Sequence, residues 1–154
     1  MRGSVHTAYF PEPGDLTAGL GAEHRARVEN WNKLMPLRDD VLKSLETARQ
    51  ERVIGSPLEA SVRLSADASL YPLLESYRRE LPGLFIVSEV LLSRQTESGV
   101  RATIERATGT KCERCWKYTE DVGADAELPT ACASCAAAVR ETLECVAQMS
   151  EPGA

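Results

Sequence analysis

Residues 111–135 read KCERCWKYTEDVGADAELPTACASC, and this stretch decides the fold of the C-terminal part of the chain. It contains two Cys-x-x-Cys pairs, Cys112 with Cys115 and Cys132 with Cys135. Such a turn brings two sulfurs to one side of a tight loop, so two turns supply the four ligands of a tetrahedral zinc shell. The sequence therefore predicts one Zn²⁺ bound by these four cysteines.

Other chemistries of paired cysteines fit this pattern less well. A redox pair is expected as a single Cys-x-x-Cys at the start of a helix that follows a strand. A four-iron cluster also takes four thiolates, but two regular turns with a wide gap favour zinc. Four protein thiolates leave no open position for water, so the predicted ion is structural rather than catalytic.

Aromatic and basic residues surround the first cysteine pair. Trp116 and Tyr118 either pack over the metal loop or form a stacking platform for an unpaired base, and both roles can coexist. The cations beside them are Lys111, Arg114 and Lys117. These five residues are the candidate RNA contacts.

The composition limits the possible functions. The 154 residues are 43% hydrophobic and 27% charged, which is typical of one globular domain or two small ones. The net charge of −5 disfavours a protein that holds a phosphate backbone by itself, so any nucleic-acid contact must be local or belong to a larger assembly. No apolar run is long enough to span a membrane, and no signal peptide is visible.

Cysteine usage indicates the compartment. Five cysteines without a secretory signal favour a reducing cytoplasm over a disulfide framework. The fifth, Cys145, is predicted to be a small thiol on the last helix.

Hydrophobic periodicity and turn residues predict an α+β fold. An N-terminal helix, with a kink or a break near Pro36, precedes a small, mainly antiparallel sheet with one helix. Predicted strands cover 58–64, 83–93 and 99–107, and the helix between the first two covers 65–81. The parts of the chain are an extended tail (1–22), a helical segment (23–54), a small α+β subdomain (55–108), the zinc-binding module (109–145) and a frayed tail (146–154).

Several stretches resemble the C-terminal region of bacterial isoleucyl-tRNA synthetases. KCERCWKYTEDVG (111–123), followed by the second Cys-x-x-Cys, is similar to the zinc module of that family, which is related to the zinc finger of formamidopyrimidine-DNA glycosylases. Residues 31–64 resemble the last helix of the anticodon-binding region entering the α+β unit. LFIVSEVLL (84–92) resembles its buried strand, and SVHTAYFP (4–11) the linker before the helix.

The resemblance implies a role in the ATP-dependent attachment of isoleucine to its tRNA. The family's catalytic core, which binds ATP, carries HIGH and KMSKS motifs, and neither occurs here. We therefore expect a non-catalytic C-terminal piece that activates no amino acid alone. The resemblance also implies one structural zinc, and as partners the anticodon region of tRNA(Ile) and the remainder of the synthetase, with no membrane partner. The piece itself is expected to be monomeric and cytoplasmic. Pro36 departs from the smooth helix expected in the family.

Two alternative functions remain open from the sequence. One is the zinc finger of a DNA-repair glycosylase, although the Met1-Arg2-Gly3 start lacks the N-terminal Pro and acidic residue that those enzymes use. The other is a structural or protein-interaction module whose zinc only stabilises the end of a larger enzyme.

Overall fold

The computed structural model describes residues 9–150, with the side chains of residues 9–146. The chain divides into two compact units, one ending at Pro36 and the other beginning at Leu37. The predicted α+β class is confirmed. The elements are α1 (Pro13–Thr17), α2 (Ala22–Gln50), a 3₁₀ turn (Pro57–Glu59), β1 (Ala60–Ala66), α3 (Tyr71–Ser76), α4 (Leu81–Phe85), β2 (Glu89–Arg94), β3 (Val100–Arg106), β4 (Thr110–Lys111), β5 (Tyr118–Thr119) and α5 (Ala133–Ser150).

The two predicted tails differ from the structure where it describes them. α1 forms one helical turn at Pro13–Thr17 inside the segment expected to be extended. Pro13 starts it because its fixed φ and missing N–H suit the first turn of a helix. At the other end α5 continues through Ser150, past the expected start of the frayed tail. Residues 1–8 and 151–154 of these tails lie outside the described residues.

α2 is one helix that continues through Pro36, so the single helix is confirmed and the alternative of two helices is wrong. A proline inside a helix removes one backbone hydrogen bond. The residues that follow are held by packing, since Val41, Leu45 and Ala48 are buried. Burial of this stripe offsets the single lost bond.

The main sheet has three strands in the order β2-β1-β3. β1 pairs antiparallel with β3 and parallel with β2, where Val62 lies opposite Val90. The sheet is therefore mixed. Parallel strands need a crossover connection, and the segment that contains α3 and α4 provides it.

The single helix predicted over 65–81 is instead two short helices, α3 and α4. Pro72 and Pro82 lie in the first turns of these helices, where proline is tolerated, and Pro82 cannot continue a preceding helix. The predicted strand 83–93 consequently starts only at Glu89. Phe85 is fully buried, but it lies in a helix and not in the predicted strand. A short apolar run fits either type of element.

The four-cysteine region follows β3 and contains the two-stranded sheet β4-β5 and helix α5. Where β3 ends, the N–H of Ala107 donates to the carbonyl of Glu59 at 2.7 Å. This bond ties the entry of the region to the start of β1. Within the described residues, no helix has the length and apolar character needed to traverse a bilayer.

Candidate metal centre

The four paired cysteines converge on one point. Their Sγ atoms all lie within 4.8 Å of one another. The Sγ atoms of Cys115 and Cys132 are 3.8 Å apart. Zinc–sulfur bonds of about 2.3 Å in a tetrahedron place the sulfurs about 3.8 Å from each other. The donor set and its spacing therefore suit a single tetrahedral ion.

The first cysteine pair lies in the loop that joins β4 to β5. The N–H of Cys112 donates to the carbonyl of Lys117 at 2.9 Å, and the N–H of Trp116 donates to the carbonyl of Cys112 at 2.8 Å. Trp116 has a φ of 65°, in the left-handed region that non-glycine residues seldom adopt. These bonds close a tight turn and turn both sulfurs inward.

The second pair lies where α5 begins. The N–H of Ala133, in the first turn of α5, donates to the carboxylate of Asp121 at 3.1 Å. The hydroxyl of Thr119 donates to the other oxygen of that carboxylate. The Thr119 bond and the Ala133 N–H hold the pKa of Asp121 below its usual value. Asp121 thus serves as a capping group that fixes the second turn relative to β5.

Hydrogen-bond donors surround the sulfurs. The N–H of Cys132 donates to Sγ of Cys112 at 3.3 Å, and Nη1 of Arg114 lies 3.6 Å from Sγ of Cys135. Burial raises the pKa of the Cys112 thiol, but backbone N–H groups, including that of Cys132, lower it to about 6. Burial raises the pKa of Cys115 to about 12. Because metal ligands must be thiolates, ion binding would release protons from the less acidic members.

The cluster is enclosed by a small apolar shell. Cys112, Cys132 and Cys135 are buried, and Cys115 is half-buried. The partly buried side chains of Val122 and Leu128 pack against them. This shell keeps bulk water from most of the sulfur surface. Four cysteine ligands complete a tetrahedral shell, which is typical of structural zinc.

The five candidate RNA contacts lie together on the segment from Lys111 to Tyr118. Trp116 is 60% exposed. Tyr118 is half-buried. Trp116 is therefore the more exposed of the two aromatic residues, and contact of either with RNA stays a prediction.

The basic residues of this segment form no ion pairs with carboxylates of the described part. Most arginines of the described part form ion pairs with carboxylates. No carboxylate of that part lies within ion-pair distance of Lys111, Arg114 or Lys117. Arg114 instead faces the sulfur of Cys135, so part of its charge is used within the cluster.

Sequence patterns missed three residues that organise the site. Asp121 caps α5 from twelve residues away, so no local capping signal marks it. Gly109 has a φ of 90° where the chain enters β4. Ser88 lies in a predicted strand and accepts the N–H of Tyr118 at 2.7 Å. Of the three, only Gly109 could have been singled out from the sequence, because a glycine before the cysteine pair indicates a turn.

Comparison of the sequence with known proteins finds a matching family model and similar ligases. Residues 109–138 match the protein-family model described as a zinc finger found in FPG and IleRS. Nearly all of the chain is homologous to a segment of isoleucine–tRNA ligases. It is 43% identical over 148 residues to the isoleucine–tRNA ligase of Geobacter sulfurreducens. That alignment covers 89% of this chain and 15% of the ligase.

Other relatives agree. Isoleucine–tRNA ligase 1 of Bacillus cereus is 42% identical over 147 residues, and the ligase of Bacillus anthracis is 44% identical over the same length. Each alignment covers 90% of this chain and 15% of the relative. The chain thus spans about 15% of the length of these ligases. The zinc-finger match and the four-sulfur cluster together support a structural zinc site.

Proposed function

We propose that this chain is the non-catalytic C-terminal part of an isoleucine–tRNA ligase and that its zinc-bound segment contacts the anticodon region of tRNA(Ile). Similarity to these ligases over nine-tenths of the chain supports this assignment. ATP binding and amino-acid activation would belong to the remainder of the enzyme, which is the expected partner, in the cytoplasm. The zinc finger named in the family match also occurs in a second class of protein, FPG. The extent of the ligase similarity outside residues 109–138 favours the synthetase over that alternative.

In this proposal Zn²⁺ is structural and holds the two cysteine turns together. Cys112, Cys115, Cys132 and Cys135 would bind it as four thiolates, and the closed shell supplies stability instead of an activated water. In small zinc-finger peptides such binding contributes roughly 10–16 kcal/mol to folding. The region has a small apolar core, so the metal would contribute much of its stability.

The observation that carries the RNA proposal is the exposed ring of Trp116. The backbone around it is fixed by the bonds of Cys112 to Lys117 and of Trp116 to Cys112. A large aromatic side chain that is 60% exposed on a fixed backbone is the type of group on which unpaired bases stack. Since the backbone is fixed beforehand, little conformational entropy would be lost on binding.

The net charge limits the expected affinity for RNA. The chain carries a net charge of −5, and the cations of the segment 111–118 that form no ion pair or sulfur contact among the described residues are Lys111 and Lys117. Two phosphate contacts to single-stranded RNA predict a slope of log K against log salt of about −1.4. Binding by this chain alone should therefore be weak and only moderately sensitive to salt.

A titration of the 154-residue chain with tRNA(Ile) and a non-cognate tRNA tests this proposal. Replacement Trp116→Ala should weaken tRNA(Ile) binding about tenfold, since stacking on one aromatic ring contributes about 1–3 kcal/mol. Trp31→Phe serves as the matched control at the other tryptophan and should leave the affinity unchanged. Equal affinity for both tRNAs at low salt, or an unchanged affinity of the Trp116 variant, would contradict the proposal.

A further inference from the structure

The hydroxyl of Ser88 connects the three-stranded sheet to the four-cysteine region. It donates a hydrogen bond to the carbonyl of Leu58 at 2.6 Å and accepts the N–H of Tyr118 at 2.7 Å. The N–H of Ser88 itself donates to the carbonyl of Ala60 at 3.2 Å. The 3₁₀ turn at Leu58 and the first residue of β1 thus hold the hydroxyl and the backbone of Ser88, and its oxygen accepts a bond from β5.

A short path leads from this bond to the exposed tryptophan. Tyr118 follows Lys117, whose carbonyl accepts the N–H of Cys112. Trp116 is two residues from Tyr118, a span of at most about 7 Å along the chain. The segment 116–118 is therefore held at one end by the cysteine turn and at the other by Ser88.

The four-cysteine region is attached to the rest of the fold at two separate points. The chain enters the region through Ala107, which is bonded to Glu59, and then through Gly109, which has a φ of 90°. The bond from Ser88 to Tyr118 lies beyond Gly109 and attaches the first cysteine turn to the chain segment that precedes β2.

We propose that Ser88 is a positioning residue that fixes the first cysteine turn, and with it Trp116, against the sheet β2-β1-β3. The inference deepens the proposed function and rests on it where Trp116 contacts RNA. Alanine at this position would remove the donor to Leu58 and the acceptor for Tyr118 together. The zinc ligands would keep their own turns, so zinc binding should survive while the orientation of the turn is lost.

The test compares Ser88→Ala with Ser88→Thr, which retains the hydroxyl, and with Ser93→Ala. Ser93 is a suitable control because it lies in β2 and its hydroxyl contacts only Ser65 among the described hydrogen bonds, at 2.8 Å. Each variant is examined in the full chain with zinc present. The measurements are zinc content, the hydrogen-exchange rate of the Tyr118 amide, and the local motion of Trp116 by time-resolved anisotropy in a Trp31→Phe background.

Ser88→Ala should speed exchange of the Tyr118 amide about fivefold, the factor that corresponds to one net hydrogen bond. It should also increase the fast local motion of Trp116 while zinc stays at one per chain. Ser88→Thr and Ser93→Ala should match the wild type. Unchanged exchange and motion in Ser88→Ala, or the same change in Ser93→Ala, would overturn the inference.

The tRNA titration separates this inference from the proposed function. If the wild type binds tRNA(Ile), Ser88→Ala should weaken binding severalfold and Ser88→Thr should restore it. Unaltered tRNA binding by Ser88→Ala would then refute the positioning role. Failure of the wild type to bind tRNA would count against the proposed function, and the exchange and anisotropy results would still decide the mechanical role of Ser88.

Discussion

Gly109 should be the least replaceable of three glycines that share one backbone conformation. Gly99, Gly109 and Gly123 have φ values of 89°, 90° and 86°. A Cβ on Gly109 would lie 2.4 Å from the carbonyl carbon and oxygen of Thr119. Those atoms are backbone and cannot rotate away. A Cβ on Gly99 would meet nothing within 4 Å, and one on Gly123 only the carbonyl oxygen of Pro129 at 3.2 Å.

The three alanine variants separate conformational strain from steric overlap. A positive φ destabilises the folded state of a chain with an L-residue there by about 1–2 kcal/mol. Replacing glycine also stiffens the unfolded chain, which raises the free energy of unfolding by about 0.4–1 kcal/mol. Gly99→Ala should therefore lower the free energy of unfolding by about 1 kcal/mol. Gly109→Ala adds an overpacking cost of about 1–3 kcal/mol, for a total of about 2–4 kcal/mol. Gly123→Ala should fall between them.

Urea denaturation at a fixed excess of zinc measures these differences, because bound metal contributes to the stability of the folded state. Gly109→Ala should also bind zinc more weakly in competition with a chelator, since the residue precedes β4 directly. Equal losses of stability in the Gly109 and Gly99 variants would refute the reasoning, because the predicted difference comes only from the close approach to Thr119.

Three further outcomes follow from single residues. Cys112→Ser should abolish stoichiometric zinc in metal analysis, whereas Cys145→Ser, at an exposed position, should retain one zinc per chain. The Ser69 hydroxyl and nearby backbone amides hold the pKa of Asp67 far below its usual value of about 4. The stabilisation from Asp67 is thus present above pH 4 and lost as the pH falls below it, so Asp67→Ala should lower the Tm at neutral pH and flatten its acid dependence. Ile86 ends α4 in the left-handed region and is 53% exposed, so Ile86→Gly should raise the stability by up to about 1 kcal/mol in urea denaturation.

The sequence predicted the metal cluster because its information is local. Each Cys-x-x-Cys turn is a complete local unit, and two of them suffice to define a four-ligand shell. The exposed position of Trp116 was one of two open interpretations. The sequence shows no periodic pattern from which either the exposure of Trp116 or its left-handed backbone could be predicted.

The fold predictions that were wrong depended on prolines or on contacts between residues far apart in the chain. The apolar run around Phe85 fits a strand as well as a helix turn, and Pro82 decides for the helix. The parallel pairing of β1 with β2 depends on the crossover between them, which strand alternation does not encode. No local sequence pattern indicates the role of Ser88, because that role depends on Tyr118, thirty residues away in the chain.

The tRNA affinity of this chain with and without zinc tests the central claim most directly. The claim is that the metal holds the segment around Trp116 in a form that binds RNA. Removal of zinc by a chelator should abolish detectable binding of tRNA(Ile), and restoration of one zinc per chain should recover it. Unchanged affinity in metal-free protein would contradict the account.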